Sequence, residues 1–544
     1  MIIPTYFLSL IAILFSSGQI KITADLHVFN AHIFTLSPNN SPAESMVIGN
    51  GKILFLGTKA EADLKYSAIE KIDMLGKSIY PGFIDGHCHF YGYGEQFKRV
   101  NLTGTKSWNE VVSAVKEFGS KQPTGWIQGR GWDQNDWLQK YFPTNELLNL
   151  AFPSQPVFIK RIDGHAAVAN DAALKLAGFT TATKISGGEF KIYNGKLTGV
   201  LIDNAMDSLE KFIPRASSHD IAESLLAAQK KCFEVGLTTV SDAGLDKYVI
   251  DIIDSLQKNN LLKMRIYAML ADNPINKQYY FKHGPYITEK LKVTSFKFYI
   301  DGALGSRGAL MKKSYTDESG NFGIQLNSTE YFSRKFAECL ATGFQVCAHA
   351  IGDSANKLVL DLYGKNLIGK NNKRWRIEHA QIVSIDDRKL FNSFSIIPSI
   401  QPCFTTSDMY WATDRIGQER IKSAYSWKSL LQQTGIVTCG SDFPVEDINP
   451  LFGFYAAVTR MDQKLFPVGG FIPEEKLSRI EALKGMTIWA AYANFMENEI
   501  GSLTVGKFAD FVVLDNEIMT IDENELFKVK VLMTYSNGEL VYKK

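Results

Sequence analysis

Eight short apolar runs, most of them separated by stretches of helical periodicity, constrain this chain more than any other feature. The runs are Phe83–His87, Leu237–Asp242, Met264–Leu270, Val293–Ile300, Phe344–His349, Arg374–His379, Ile396–Gln401 and Ile436–Ser441. Between them lie sequences such as IAESLLAAQKKCFEVG, STEYFSRKFAECLATG and SANKLVLDLYGKN, whose apolar residues recur at helical spacing. Eight strands alternating with helices predict a (β/α)8 TIM-like barrel, an α/β fold. An open doubly wound sheet is the competing architecture, but no glycine-rich phosphate fingerprint follows an early strand.

At 544 residues the chain is too long for one small core, so further domains are expected. Residues 23–80 contain ADLHVFNAHIFTL and MVIGNGKILFLG, with Asn50-Gly51 as a tight hairpin turn. The other end repeats the style in GSLTVGKFADFVVLDN and VKVLMTYSNGELVYK, with Asn537-Gly538 as the turn. Alone, each segment would leave an apolar face uncovered. They are expected to join as one small β-sandwich domain, from residues 19–80 and 494–544, flanking a barrel at 81–493. The long gap after the first barrel strand holds another strand candidate, PVFIKR (156–161), among loops rich in Trp, Gly and Asn. Residues from about 120 to 215 are expected to form an inserted subdomain over the barrel mouth.

The N-terminus carries an apolar run from Tyr6 to Phe15, then Ser16-Ser17-Gly18. This is shorter than the ~20 apolar residues of a bilayer span, so no stable span is expected. Residues 1–18 read as a cleavable signal peptide for export to a periplasm or the extracellular space. No Lys or Arg precedes the run, which leaves an uncleaved membrane-surface anchor as the alternative. The six cysteines lie far apart, four of them in or beside apolar runs, and most read as free core residues. A formal net charge of +2 provides no basic field for nucleic acid.

The chemistry begins at PGFIDGHCHF (81–90), where side-chain alternation turns His87 and His89 to one side and Cys88 to the other. Further strands end on Lys297 (KFYIDG), His349 (CAHAIGD), His379 (RWRIEHAQ) and Asp442 (CGSDFPVE). His349 and His379 are 30 residues apart, one strand–helix unit, and His379 and Asp442 are 63 apart, two units. A lone histidine at a strand end is usually an ordinary polar residue. A lysine inside an apolar strand is different, because a buried unpaired ammonium is expensive. Recurrence of these groups at strand C-termini, where barrel active sites are built, reads as a single site.

This set resembles the amidohydrolase superfamily. GRGWDQNDW, DGHAAVAN, KFYIDGALGSRGAL, HAIGDSANK, IEHAQ and GSDFPVEDINPL resemble its family 3, the branch that includes N-substituted formamide deformylase. The resemblance implies two divalent metal ions. His87, His89 and Asp442 would hold the more buried ion, His349 and His379 the second, and Lys297, carboxylated by CO2, would bridge them as a carbamate. Imidazole and oxygen ligands without thiolate suit zinc, with nickel, cobalt and manganese as alternatives. The implied reaction is hydrolysis of a non-peptide C–N bond, in an amide or N-substituted formamide of a small-molecule substrate, with Asp442 as proton shuttle. Ester or lactone hydrolysis, deamination of a cyclic amidine, and a non-catalytic binding role are the alternatives, and a homo-oligomer is compatible with all of them. His165 is a second catalytic candidate, as donor to the carbonyl oxygen, balanced by a purely loop-fixing role. Trp132, with Trp137, Tyr91 and Trp411, is a candidate for an apolar substrate wall. Arg307 is a candidate for binding a substrate carboxylate, against a surface ion pair, and Gln401 completes the substrate-binding set.

Overall fold

The computed structural model describes residues 21–37 and 43–544, so the expected signal peptide at 1–18 lies outside the described residues. Eight parallel strands follow one another around a barrel in chain order. They are Phe83–Cys88, Leu237–Leu245, Arg265–Ala271, Leu291–Tyr299, Gln345–Ala350, Arg376–His379, Ile397–Ile400 and Thr438–Cys439. All but a few of their residues are buried, as strands packed on both faces must be. The three quoted helical sequences fall in helices Ser218–Glu234, Thr329–Thr342 and Asp353–Asn366, which cover the outside.

Closure between the last and first strands runs just beyond the regular ladder. The Asp442 N–H donates to His87 O and the His89 N–H to Phe443 O, both at 2.8 Å. Inside this seam the buried Asp85 carboxylate accepts from the backbone N–H groups of His87 and Ser441 and, at 2.6 Å, from the Ser441 hydroxyl. Burial pushes that carboxyl up to about 7 against those hydrogen bonds. Two glycines make the approach feasible. A Cβ on Gly86 would sit 2.2 Å from Thr438 Oγ1, and one on Gly440 would sit 2.5 Å from the His87 nitrogen.

Both termini build one seven-stranded sheet, in which Phe511–Leu514 pairs antiparallel with Tyr66–Pro81. The two Asn-Gly pairs close hairpins as expected, with φ of 52° and 73° at Asn50-Gly51 and 50° and 72° at Asn537-Gly538. The strands share a continuous hydrogen-bonded path that curls until the first hairpin meets residues 506–509, through Ile53 N–H to Lys507 O and Ala509 N–H to Gly51 O. Leu26, Val28, Ile48, Ile79, Phe511 and Val513 fill the curl.

The insertion is a six-stranded mixed sheet between the first two barrel strands, running from Val100–Asn101 to Lys196–Asp203. It starts ahead of the expected residue 120, because its first strand is two residues long and carries no pattern. PVFIKR supplies one of its central strands, Val157–Arg161. All six cysteines are buried and free. Among the described residues no helix is long and apolar enough to cross a membrane.

Candidate metal centre

The C-terminal ends of the barrel strands bring His87, His89, Lys297, His349, His379 and Asp442 together. His87, His89 and Asp442 offer ligand atoms that all lie within 4.8 Å of one another. Asp442 Oδ1 is 3.6 Å from His87 Nε2 and 3.2 Å from His89 Nε2. Lys297 Nζ stands 3.0 Å from His87 Nε2. The His379 ring lies 5.0 Å from that of His87 and 4.5 Å from that of His349, centre to centre. His379 (φ 73°) and Asp442 (φ 60°) hold left-handed backbone that non-glycine residues rarely adopt, just where the chain turns off its strand into the site.

Three of the four imidazoles are oriented by a partner outside this cluster, while His349 Nε2 lies 3.5 Å from Asp301 Oδ1. His87 Nδ1 is 2.5 Å from Glu378 Oε2, His89 Nδ1 donates to Ala243 O at 3.0 Å, and His379 Nδ1 donates to Gln401 Oε1 at 2.8 Å. A carbonyl oxygen only accepts, so Nδ1 of His89 and of His379 must carry the proton, and Nε2 is left with a lone pair. Burial keeps all four rings neutral. It lowers His87 to about 4, lowers His89, and holds His349 and His379 well below the usual imidazole range. Burial also lowers Lys297 to about 8, so a neutral amine is within reach near physiological pH. Burial alone would raise Asp442, and with the four rings neutral and no proton on the facing His89 nitrogen, its carboxylate calls for a positive charge beside it to stay ionised.

This arrangement fits a cation. The His89 lone pair faces a carboxylate oxygen, and both Asp442 Oδ1 and His349 Nε2 are buried without a hydrogen-bond partner. A buried carboxylate oxygen facing an imidazole lone pair is costly unless something positive lies between them. The donor set is imidazole nitrogen, carboxylate oxygen and a potential carbamate, the set that divalent zinc accepts. His87, His89 and Asp442 would hold one ion, and His349, His379 and a carboxylated Lys297 would complete a second position.

Glu378 is the main residue that pattern reading missed. It is fully buried, pairs with Arg376 (Nε to Oε1, 2.7 Å) and orients His87. Burial works against its charge, but Arg376 and His87 hold it well below the usual carboxylate range. Arg376 and Glu378 alternate with Trp375 and Ile377, a period-two signal that both charges face the barrel interior.

The remaining candidates separate. His165 lines the cavity above the cluster, with its Nδ1 2.7 Å from the buried Asp203 and its ring 5.0 Å from His349. The hydrogen bond and charge of Asp203 outweigh burial and raise it above the usual imidazole value. Trp132 is not a substrate wall: it is fully buried in the insertion core with Trp137, and its indole donates to Ile159 O. Arg307 does not reach the cavity either, because Asp317 (2.9 Å) and Glu318 (3.3 Å) hold its guanidinium. Gln401 is buried behind His379 and acts on the ring rather than on substrate. Tyr91 lines the large cavity with its hydroxyl on Glu95, and Trp411 lines a smaller one.

The large cavity measures about 730 Å³ and joins barrel residues His89, Lys297, Tyr299 and Asp442 to Arg130 and His165 of the insertion. The smaller one, about 220 Å³, has Leu304, Phe404 and Trp411 on its walls and shares His165, His349, His379 and Asp442.

Comparison with known proteins agrees with this geometry. Residues 70–542 match the family described as the Amidohydrolase family. The protein LONG AFTER FAR-RED 3 of Arabidopsis thaliana is 33% identical over 542 residues, covering 96% of this chain and 92% of its own. N-substituted formamide deformylase of Arthrobacter pascens is 25% identical over 544 residues, 96% of this chain and 98% of its own. An uncharacterized metal-dependent hydrolase from Pyrococcus horikoshii OT3 superposes with a TM-score of 0.75 at 27% identity, over 92% of this chain and 99% of that one.

Proposed function

The chain belongs to the amidohydrolase family, and from that premise we propose that it hydrolyses the C–N bond of an amide or N-substituted formamide at a centre of two divalent ions, zinc by the chemistry of the donors. The observation that carries this reading is the convergence of four neutral imidazoles, Lys297 and Asp442 on one buried point. Metal bound there would supply a water acidic enough to attack at neutral pH and would polarise the carbonyl. Asp442, held ionised by the bound cations, would take a proton from that water and return it to the departing nitrogen. Lys297, with its pKa brought down to about 8, supplies the neutral amine that carboxylation by CO2 requires. His165, oriented by Asp203, presents its other ring nitrogen to the cavity, where the carbonyl oxygen of a bound substrate would lie. The name of the Arthrobacter pascens relative supports the amide and formamide class over esters and lactones.

The test is metal analysis of purified protein, followed by a panel of N-formyl, N-acyl and lactone compounds assayed for amine, ammonia and acid. Release of an amine and an acid in equal amounts supports the reading. Turnover of lactones alone, or ammonia without acid, would replace it. We further propose export with removal of residues 1–18, which mass spectrometry of protein from the native host decides. An intact Met1 in a cytoplasmic fraction would sink that claim.

A further inference from the structure

The cavity above the metal centre contains one well-placed cation that neither the metal centre nor an ion pair uses. Arg130 projects from insertion strand Ile127–Trp132 into the space shared with His89, His165, Tyr299 and Asp442. One edge of its guanidinium is fixed, with Nε (3.2 Å) and one terminal nitrogen (2.9 Å) both donating to Ile162 O. The guanidinium lies against Gly164, where a Cβ would come within 3.1 Å of the same terminal nitrogen. Gly164 (φ 75°) therefore leaves room for the guanidinium as well as turning the chain. The other edge, with the second terminal nitrogen, is left without a protein partner.

The other positive groups of this cavity are committed. Arg99 pairs with Glu95, Lys160 with Glu210, and Lys297 belongs to the metal cluster, while Lys211 is exposed. The nearest acids are committed as well. Asp163 is held by Arg161 at 2.6 Å, and Asp442 serves the metal centre. Among the described residues no carboxylate forms an ion pair with Arg130. A half-buried arginine with one edge anchored and the other open is built to receive a planar anion through two parallel hydrogen bonds.

We propose that Arg130 anchors a carboxylate carried by the substrate, so that the enzyme prefers amides bearing a free acid group. This rests on the hydrolase reading for the identity of the cavity as a substrate site, but the recognition itself needs only the arginine. It also moves carboxylate recognition from the barrel loop, where the sequence suggests Arg307, to the insertion. The fold then has a division of labour: the barrel cleaves, and the insertion selects.

The test uses purified, metal-loaded enzyme and two acid–amide pairs. N-acetylphenylalanine and its carboxamide place the charge on the amine side, and N-phenylsuccinamic acid and its carboxamide place it on the acyl side. Affinity is read by calorimetry, or as KM and kcat where a compound is turned over. At least one acid should bind about 10- to 100-fold tighter than its amide, the range of a charge-assisted hydrogen-bonded pair. Arg130→Met should erase that preference with metal content unchanged, and Arg130→Lys should restore part of it. Equal affinity of acid and amide in both pairs overturns the proposal, as does a preference that survives Arg130→Met. Acetate, a product of hydrolysis, is the control. Tight binding of acetate that depends on Arg130 would assign the anchor to product and overturn the substrate assignment. An Arg130-dependent preference without turnover of any compound would leave this proposal standing and sink the hydrolase reading instead.

Discussion

His379 gives its Nδ1 hydrogen to Gln401 Oε1 at 2.8 Å, and Gln401 is itself held the right way round because its amide nitrogen donates to Ser399 O at 3.4 Å. The bond fixes which nitrogen of His379 faces the cluster. Gln401→Ala should therefore lower metal affinity about 10- to 100-fold with the fold intact, as measured by titration of the metal-free protein with zinc. An unchanged affinity would mean that packing alone orients the ring.

Asp442→Asn keeps the volume of the side chain and removes the proton acceptor. Turnover should fall by about 10²- to 10⁴-fold. Metal should still bind, less tightly, because four imidazoles and Lys297 remain. Full turnover in this variant would exclude Asp442 as the proton shuttle.

Lys297→Ala removes the amine that the proposed carbamate needs, and with it the anion proposed to lie between two cations. Metal stoichiometry should drop below that of the parent, and a short carboxylic acid added in solution should restore part of it. Elemental analysis with and without acetate gives the answer. Two bound ions without any added acid would remove the carbamate from the scheme.

Asp242, within the second barrel strand, is buried and accepts the Tyr91 N–H at 3.0 Å. Burial outweighs that bond and pushes its carboxyl from 3.8 up to about 7. The folded state thus keeps a proton that the unfolded chain releases. The associated stability is fully present below the unfolded value and is lost as pH rises through the folded one. Asp242→Asn keeps an acceptor and carries no charge, so it should be more stable than the parent by a margin that grows between about pH 4 and pH 7 and then levels off. That margin is at most on the order of 4 kcal/mol. Urea unfolding of both proteins at pH 5 and pH 8 checks it, and a pH-independent difference would contradict the assignment.

The barrel and most of its centre were legible because both are written in periodicity. A strand buried on both faces reads as an apolar run, and a charged or imidazole group closing such a run stands out. His87, His89, Lys297, His349, His379 and Asp442 all stand out in this way, and the fold brings them together. Trp132 and Arg307 misled because loop position says nothing about side-chain direction. The same motif that placed Trp132 in a core carries Arg130 into the cavity two residues earlier. Glu378 was passed over because a charge flanked by a second charge in one strand resembles a solvent face. Only the ring of eight strands turns that face inward, onto His87.

The composite terminal sheet makes the timing of synthesis a physical problem. Strand Tyr66–Pro81 leads directly into the first barrel strand, yet its antiparallel partner, Phe511–Leu514, lies 430 residues later (511 − 81). At ~5–20 residues per second, a ribosome needs roughly 20–90 s to deliver that partner. Throughout that interval the nascent chain displays an unpaired strand edge, the kind of surface that templates aggregation. The last few dozen residues therefore act as a latch, and a stop codon placed before Phe511 would release a chain whose catalytic ligands are all present but whose opening sheet never closes.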